Sequence, residues 1–242
     1  MATPALWSSP PTCLNLADDE VHVWRTPIQS EPAVLRRYEE LLSADEKERA
    51  NKFLVQDARD NFVTVRGILR KLLAAYLGEE AEQITLSYGQ YGKPFLKDKS
   101  VVSPLHFNVT HSHGWAALAF ARREVGIDIE KIRAEVAGGE IAARFFSERE
   151  IAELATLKAE EQSKAFFKCW TRKEAYIKAR GEGLQIPLKS FHVSMRTDEP
   201  QELTESDRSI WGVCSFEPAG GFVGAVAGRG NDWRVRYLDW QC

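Results

Sequence analysis

SADEKERANKF, residues 43–53, and SEREIAEL, residues 147–154, decide the fold between them. Each opens on a serine with a glutamate three residues later, Ser43 with Glu46 and Ser147 with Glu150, which is the capping-box signature of a helix start. Each is followed by a long amphipathic run. In the first, Phe62, Val65, Ile68, Leu69, Leu72 and Leu73 recur at helical spacing and the run stops near Gly78. The second extends from about Glu160 to Ala179 and is stopped by Gly181 and Gly183. Around the first run, Glu20–Thr26 alternates as a strand, and a helix begins at Glu31-Pro32 with Val34, Leu35, Tyr38, Leu41 and Leu42 on one face. Short strands at Ile84–Tyr88, Leu105–Val109 and Trp115–Ala121 follow, the last two joined by the polar link THSHG. Around the second run, strands are expected at Glu124–Glu130, Phe191–Met195, Ile210–Phe216, Phe222–Ala227 and Trp233–Leu238. The order repeats, so the chain reads as an internal duplication of the α+β class. It divides into an irregular arm (1–19) and two halves, 20–123 and 124–242.

Bulk properties narrow the function by exclusion. The chain has 242 residues, 44% hydrophobic and 28% charged, with 32 basic and 35 acidic side chains and a net charge of −3. That balance carries no nucleic-acid footprint. Apolar stretches such as Trp115–Ala121 are far shorter than the ~20 residues of a membrane helix. The N-terminus, MATPALWSSPPTC, has neither the basic nor the apolar region of a signal peptide. Cysteines at 13, 169, 214 and 242 show no CxxC and no paired spacing, which fits a reducing cytoplasm.

Chemistry-bearing residues cluster at a few places. Asp128 and Glu130 are two apart on a strand and share one face, with Ile127 and Ile129 on the other. Such a pair is either a solvated strand edge or half of a site for a hard divalent cation. In FFKCWTRKEAYIKARGEGL, Trp170, Glu174 and Lys178 line one helix face; Glu174 and Lys178 are an exposed ion pair or share a ligand. Lys173, one position round, faces solvent or a phosphate oxygen. THSHG offers His111 and His113 at a strand end, suited to a phosphate contact or simply exposed in a turn. GQYGKPFL has two glycines and a lysine held by Pro94, a loop able to cradle phosphate or a base. Arg49, Lys52, Arg59 and Arg66 recur along two helices without a required role.

Taken together, these blocks resemble the Sfp-type 4′-phosphopantetheinyl transferase family. GIDIE (126–130) and FKCWTRKEAYIKARGEGL (167–184) are similar to its two signature blocks, FNVTHSHGWAALAF (107–120) to its histidine block and YGKPFL (91–96) to its Gly-Lys-Pro block. SADEKERANKF and RDNFVTVRGILRKLL resemble its first helices, so the likeness runs from about residue 20 to about 230. The resemblance implies two α+β halves related by a pseudo-two-fold axis, with coenzyme A and Mg²⁺ (or Mn²⁺) in the cleft between them. It implies an enzyme that moves the 4′-phosphopantetheine arm to a serine of an apo acyl or peptidyl carrier protein; two halves in one chain make the cleft internal and predict a monomer. Asp128, Glu130 and Glu174 match the family's metal-binding acids. Glu174 also matches the candidate base, the alternative being a metal-bound water, and Lys178 a lysine on the phosphates that assists the leaving group. Thr110 and His111 match phosphate contacts, Lys93 and Pro94 the loop beside the adenosine part, and Arg49 a basic position reaching the 3′-phosphate. Thr110 stands where many relatives have Ser, and His113 where Gly is frequent. A non-catalytic coenzyme A- or carrier-binding module and a metal-dependent phosphohydrolase are the competing functions; the intact set of three acids argues against the first.

Overall fold

A computed structural model describes residues 6–28, 31–97, 104–134, 139–196, 200–204 and 208–241; the expected arm's first five residues and Cys242 lie outside them. The first half runs β1 (Glu20–Pro27), α1 (Pro32–Leu41), α2 (Ala44–Asn51), α3 (Gln56–Leu77), the hairpin β2 (Leu86–Tyr88) and β3 (Pro94–Leu96), then β4 (His106–Ser112) and β5 (Trp115–Ala121). The second runs β6 (Val125–Lys131), α4 (Glu140–Phe145), α5 (Glu148–Ala155), α6 (Ala159–Arg180), β7 (Gln201–Thr204), β8 (Ile210–Phe216), β9 (Phe222–Arg229) and β10 (Arg234–Asp239).

Local chemistry repeats between the halves. The Ser43 N–H donates to Glu46 Oε2 at 3.1 Å and the Ser147 N–H to Glu150 Oε2 at 2.7 Å, closing the ends of α2 and α5. Helices α3 and α6 are both 22 residues long and end on Gly78 and Gly181, each left-handed at φ 72°. Beyond capping, the two glutamates are buried charges that tie each short helix to the long one. Glu46 bonds Arg70 at 2.6 Å, and Glu150 bonds Lys173 at 2.8 Å. Arg70 and Lys173 occupy the same position of their helices, and both also cap carbonyls of the segment that follows. Arg70 holds Ala81 O and Ile84 O; Lys173 holds Leu188 O and Phe191 O. Lys173 is therefore wholly buried, not at a phosphate or in solvent. Arg66, too, is buried beside Glu46.

Two sheets carry the halves, in the orders β10-β1-β5-β4 and β6-β9-β8-β7. The last strand of the chain thus leaves the second half and pairs parallel with β1, so the sequence boundary at 123/124 does not divide the sheets. Trp7 and Ser8 of the arm reinforce this crossover: Ser8 bonds Tyr237 and Asp239 of β10, and the Trp7 indole donates to Glu217 O. Between the sheets lies an apolar layer of Val21, Val23, Ala117, Ala119, Ile127, Ile129 and Val226.

One expected strand is absent. Phe191–Met195 alternates and buries Val193 and Met195, but side chains instead of a neighbouring strand take its backbone groups. Glu150 accepts the Val193 N–H, Gln201 accepts the Ser194 N–H and donates to His192 O, and Arg172 donates to Ser194 O. The strand expected nearby forms instead at Gln201–Thr204.

Helix α6 lies directly on β6, and Gly126 sets the separation. A Cβ there would stand 2.2 Å from both Ala175 O and Ala179 N, which are backbone atoms of the helix. Gly126→Ala is expected to push α6 off the strand and to destabilise the protein by ~1–3 kcal/mol. Thermal denaturation should show a Tm lower by ~2–12 °C; an unchanged Tm would refute the close approach.

Candidate active site

Strand β4 of the first half runs beside β6 of the second, and three polar side chains of β4 reach across in register. Asn108 Oδ1 accepts the Ile127 N–H at 2.9 Å, Thr110 Oγ1 donates to Asp128 Oδ1 at 3.1 Å, and Ser112 Oγ donates to Glu130 Oε2 at 2.9 Å. Because strand side chains alternate, Ile127 and Ile129 enter the apolar layer while Gly126, Asp128 and Glu130 face α6. From that helix, the Lys178 ammonium donates to Asp128 Oδ1 at 2.6 Å and lies 3.5 Å from Thr110 Oγ1. Lys178 thus pairs across to the strand; the expected exposed ion pair with Glu174 is not what holds it. Asp128 is 4% exposed. Its second oxygen, Oδ2, is buried and has no hydrogen-bond partner among the described residues.

Electrostatics mark these acids as a group that lacks positive charge. Burial pushes Asp128 up despite the Lys178 ammonium. Burial and then repulsion from Asp128 push Glu130 up. Glu174 is raised to about 6 by burial, against the pull of Lys178 and with Asp128 and Glu130 adding to the rise. Mutual repulsion of this kind is relieved by a cation among the carboxylates. With the unpartnered Asp128 oxygen, these carboxylates offer donors of the type a hard, oxygen-seeking ion prefers. Among the described residues no three such side chains already close into a ligand set. The cation that reaches Asp128 is the Lys178 ammonium.

Other expected residues sort by what they touch. His111 is next to Thr110 on β4; desolvation and the Lys178 charge hold its imidazole below the ordinary value. Pro94 opens β3, and Arg49 lies exposed 5.5 Å from the Phe62 ring and 6.0 Å from that of Tyr88 in β2. Lys93 does not project freely from its loop: its ammonium is bound to backbone carbonyls of β6 and α6. Trp170 packs edge-on to Phe145 and belongs to the core. His113 sits in the turn at φ 44°, its Nδ1 2.9 Å from Ser112 Oγ. Sequence reasoning passed over Asn108 and Ser112. Their signal was available: Asn108, Thr110 and Ser112 alternate along β4 and so share one face, and polar side chains on a buried face must find partners.

Comparisons with known proteins identify the family. Residues 124–227 match the family described as the 4′-phosphopantetheinyl transferase superfamily, and residues 23–123 match 4′-phosphopantetheinyl transferase, N-terminal. The chain is 38% identical over 232 residues to 4′-phosphopantetheinyl transferase HetI of Nostoc sp., covering 96% of this chain and 97% of that protein. It is 32% identical over 199 residues to 4′-phosphopantetheinyl transferase Sfp of Bacillus subtilis, covering 81% and 86%. It is 41% identical over 113 residues to 4′-phosphopantetheinyl transferase AcpT of Salmonella typhimurium, covering 46% and 56%. With both halves matched in order and a relative aligned over nearly its whole length, the chain belongs to the 4′-phosphopantetheinyl transferase superfamily and is an enzyme of the Sfp type.

Proposed function

We propose that the protein transfers the 4′-phosphopantetheine arm of coenzyme A to a serine hydroxyl of an apo acyl or peptidyl carrier protein. The observation that carries this reading is the meeting of Asp128, Glu130, Glu174 and Lys178 on one face between β6 and α6, with Thr110 and His111 alongside. In the reaction the serine oxygen attacks the phosphorus next to pantetheine, and the phosphoanhydride bond breaks. Adenosine 3′,5′-bisphosphate leaves, and the serine proton passes to a base. Asp128, Glu130 and Glu174 would hold a divalent cation, Mg²⁺ or Mn²⁺, which when bound neutralises charge on the two phosphates. Lys178 leaves Asp128 for the phosphates and stabilises the departing bisphosphate, with His111 and Thr110 donating beside it. Glu174, kept as a carboxylate by the cation, accepts the serine proton. Lys93 and Pro94 place the hairpin loop beside the adenosine part, and Arg49 reaches the 3′-phosphate.

We assign the site to one monomer, because both strands and the helix that build it come from a single chain. Among the described residues no helix is long and apolar enough to cross a membrane. Cys13, Cys169 and Cys214 are free thiols, in keeping with a cytoplasmic setting. Incubating an apo acyl carrier protein with this protein, coenzyme A and Mg²⁺ is expected to add the mass of one phosphopantetheine arm. Intact-mass spectrometry reads the gain, and EDTA should abolish it. Coenzyme A binding without a gain on fatty-acid, polyketide or peptidyl carriers would point to a binding module. Bisphosphate release without a carrier would point to a hydrolase.

A further inference from the structure

The last turn of a helix leaves carbonyls without intrahelical partners, and a cation placed there is favourable. At the end of α6 the Gly181 N–H takes only Ile177 O. The Lys93 ammonium, reaching over from the β2–β3 hairpin of the other half, takes the next two: Lys178 O at 2.6 Å and Ala179 O at 3.1 Å. Its third bond goes to Val125 O, the first residue of β6, at 2.9 Å. An ammonium has three N–H donors, so this side chain is fully used. Its stem crosses the helix end beside Gly181, where a Cβ would be in ordinary contact with Lys93 Cδ at 3.6 Å. The two elements so joined carry Asp128 and Lys178, the partners of an ion pair in the site. Val125 precedes Asp128 by three residues, and Lys178 is itself the residue whose carbonyl is held.

We propose that Lys93 is a positioning residue whose ammonium clamps the end of α6 to the start of β6 and so aims Lys178 at the phosphates, its side chain making no contact with coenzyme A. The inference rests on the transferase reading above. Burial lowers the Lys93 ammonium to about 8, a cost that a solvent-facing ligand contact would not carry. Without the clamp, the carbonyls of Lys178 and Ala179 turn to water and the last turn frays. Misplacing a reacting group by ~1 Å costs ~10²-fold in rate.

The test is a double-mutant cycle with K93M, K178M and the double variant, measuring kcat and the KM for coenzyme A with an apo carrier protein. K93M is expected to lower kcat/KM by ~10- to 100-fold. The double variant should match K178M within ~3-fold, because Lys93 acts through Lys178. Losses that multiply, or a K93M loss confined to KM, would make Lys93 a ligand contact and overturn the proposal. Hydrogen exchange supplies a readout that needs no turnover: amides at 178–181 should exchange ~10-fold faster in K93M. Unchanged protection also overturns it. If K93M does not fold, K93Q, whose amide keeps two donors, enters the same cycle. A wild-type protein that modifies no carrier refutes the transferase reading, whereas an active wild type with additive variants refutes only the role of Lys93.

Discussion

Glu174→Gln is expected to lower the rate of transfer by ~10²- to 10⁴-fold while making the metal-free protein more stable at neutral pH. Both effects follow from the same carboxyl. Its pKa rises from 4.5 to about 6 in the folded chain, so the folded state holds this proton more tightly than the unfolded state does. The stability gained from that difference is complete below 4.5 and is lost as the pH climbs through about 6. At pH 7 the charged carboxylate therefore costs the metal-free fold at most ~2 kcal/mol. Glutamine cannot ionise and escapes that cost. In EDTA the variant's Tm should exceed that of the wild type by ~4–8 °C at pH 7, with the difference closing below pH ~4.5. Equal Tm values at pH 7 would show that the carboxyl is not desolvated. A folded variant with near-native turnover would remove Glu174 from the role of base and leave the proton to water.

This opposition between stability and activity is the physical signature of the whole acid cluster. Asp128, Glu130 and Glu174 are all held above their ordinary range, and Asp128 Oδ2 has no partner among the described residues. A core optimised for folding alone would not collect three carboxyls on one face. The arrangement makes sense if the charge they lack arrives with the substrate and its metal.

What was legible in the sequence is what local chemistry determines. The two serine–glutamate caps, the two long amphipathic helices and their glycine stops occur where the pattern places them, because each depends on neighbours in the chain. The face shared by Asp128 and Glu130 follows from strand alternation alone. What was not legible depends on distant partners. Residues 191–195 have the alternation of a strand, yet Glu150, Arg172 and Gln201 satisfy their backbone, and nothing within that segment announces it. Strand β10 leaves its own half because β1 offers a free edge more than 200 residues earlier, a pairing no window of sequence reveals. Lys178 was legible as a helix-face cation but not as the partner of Asp128, since the choice between Glu174 and Asp128 is made by the packing of α6 on β6.

The buried cations of the duplicated helices lead to the largest stability effect we expect. Lys173 and Glu150 are both fully buried. Glu150 also accepts the N–H groups of Ser147 and Val193, and His192 Nδ1 lies 3.7 Å from Oε1; the ammonium bonded to its carboxylate is that of Lys173. Lys173→Met keeps the stem but removes the ammonium. It leaves a carboxylate buried without its counter-charge and strips a donor from Leu188 O and Phe191 O. Breaking a buried pair from one side costs ~3–5 kcal/mol, more than the pair itself contributes over an apolar replacement. Thermal denaturation should show Tm lower by ~6–20 °C. Combining it with Glu150→Gln is expected to recover part of the loss, because the orphaned charge is then gone. A single-variant cost under ~1 kcal/mol would mean that Glu150 is not left as an uncompensated buried charge, and the pair would not be the strut described. Arg70→Met in the first half should cost less: Arg70 likewise joins Glu46 to Ala81 and Ile84, but Arg66 Nη1 stays 3.6 Å from Glu46 Oε1 as a second counter-charge. The consequences for activity should differ. Lys173 lies on α6, next to Glu174 and within five residues of Lys178, so its loss disturbs the helix that carries both proposed site residues. Arg70 lies on α3, which carries none of the acids, and its loss should lower stability with less effect on kcat.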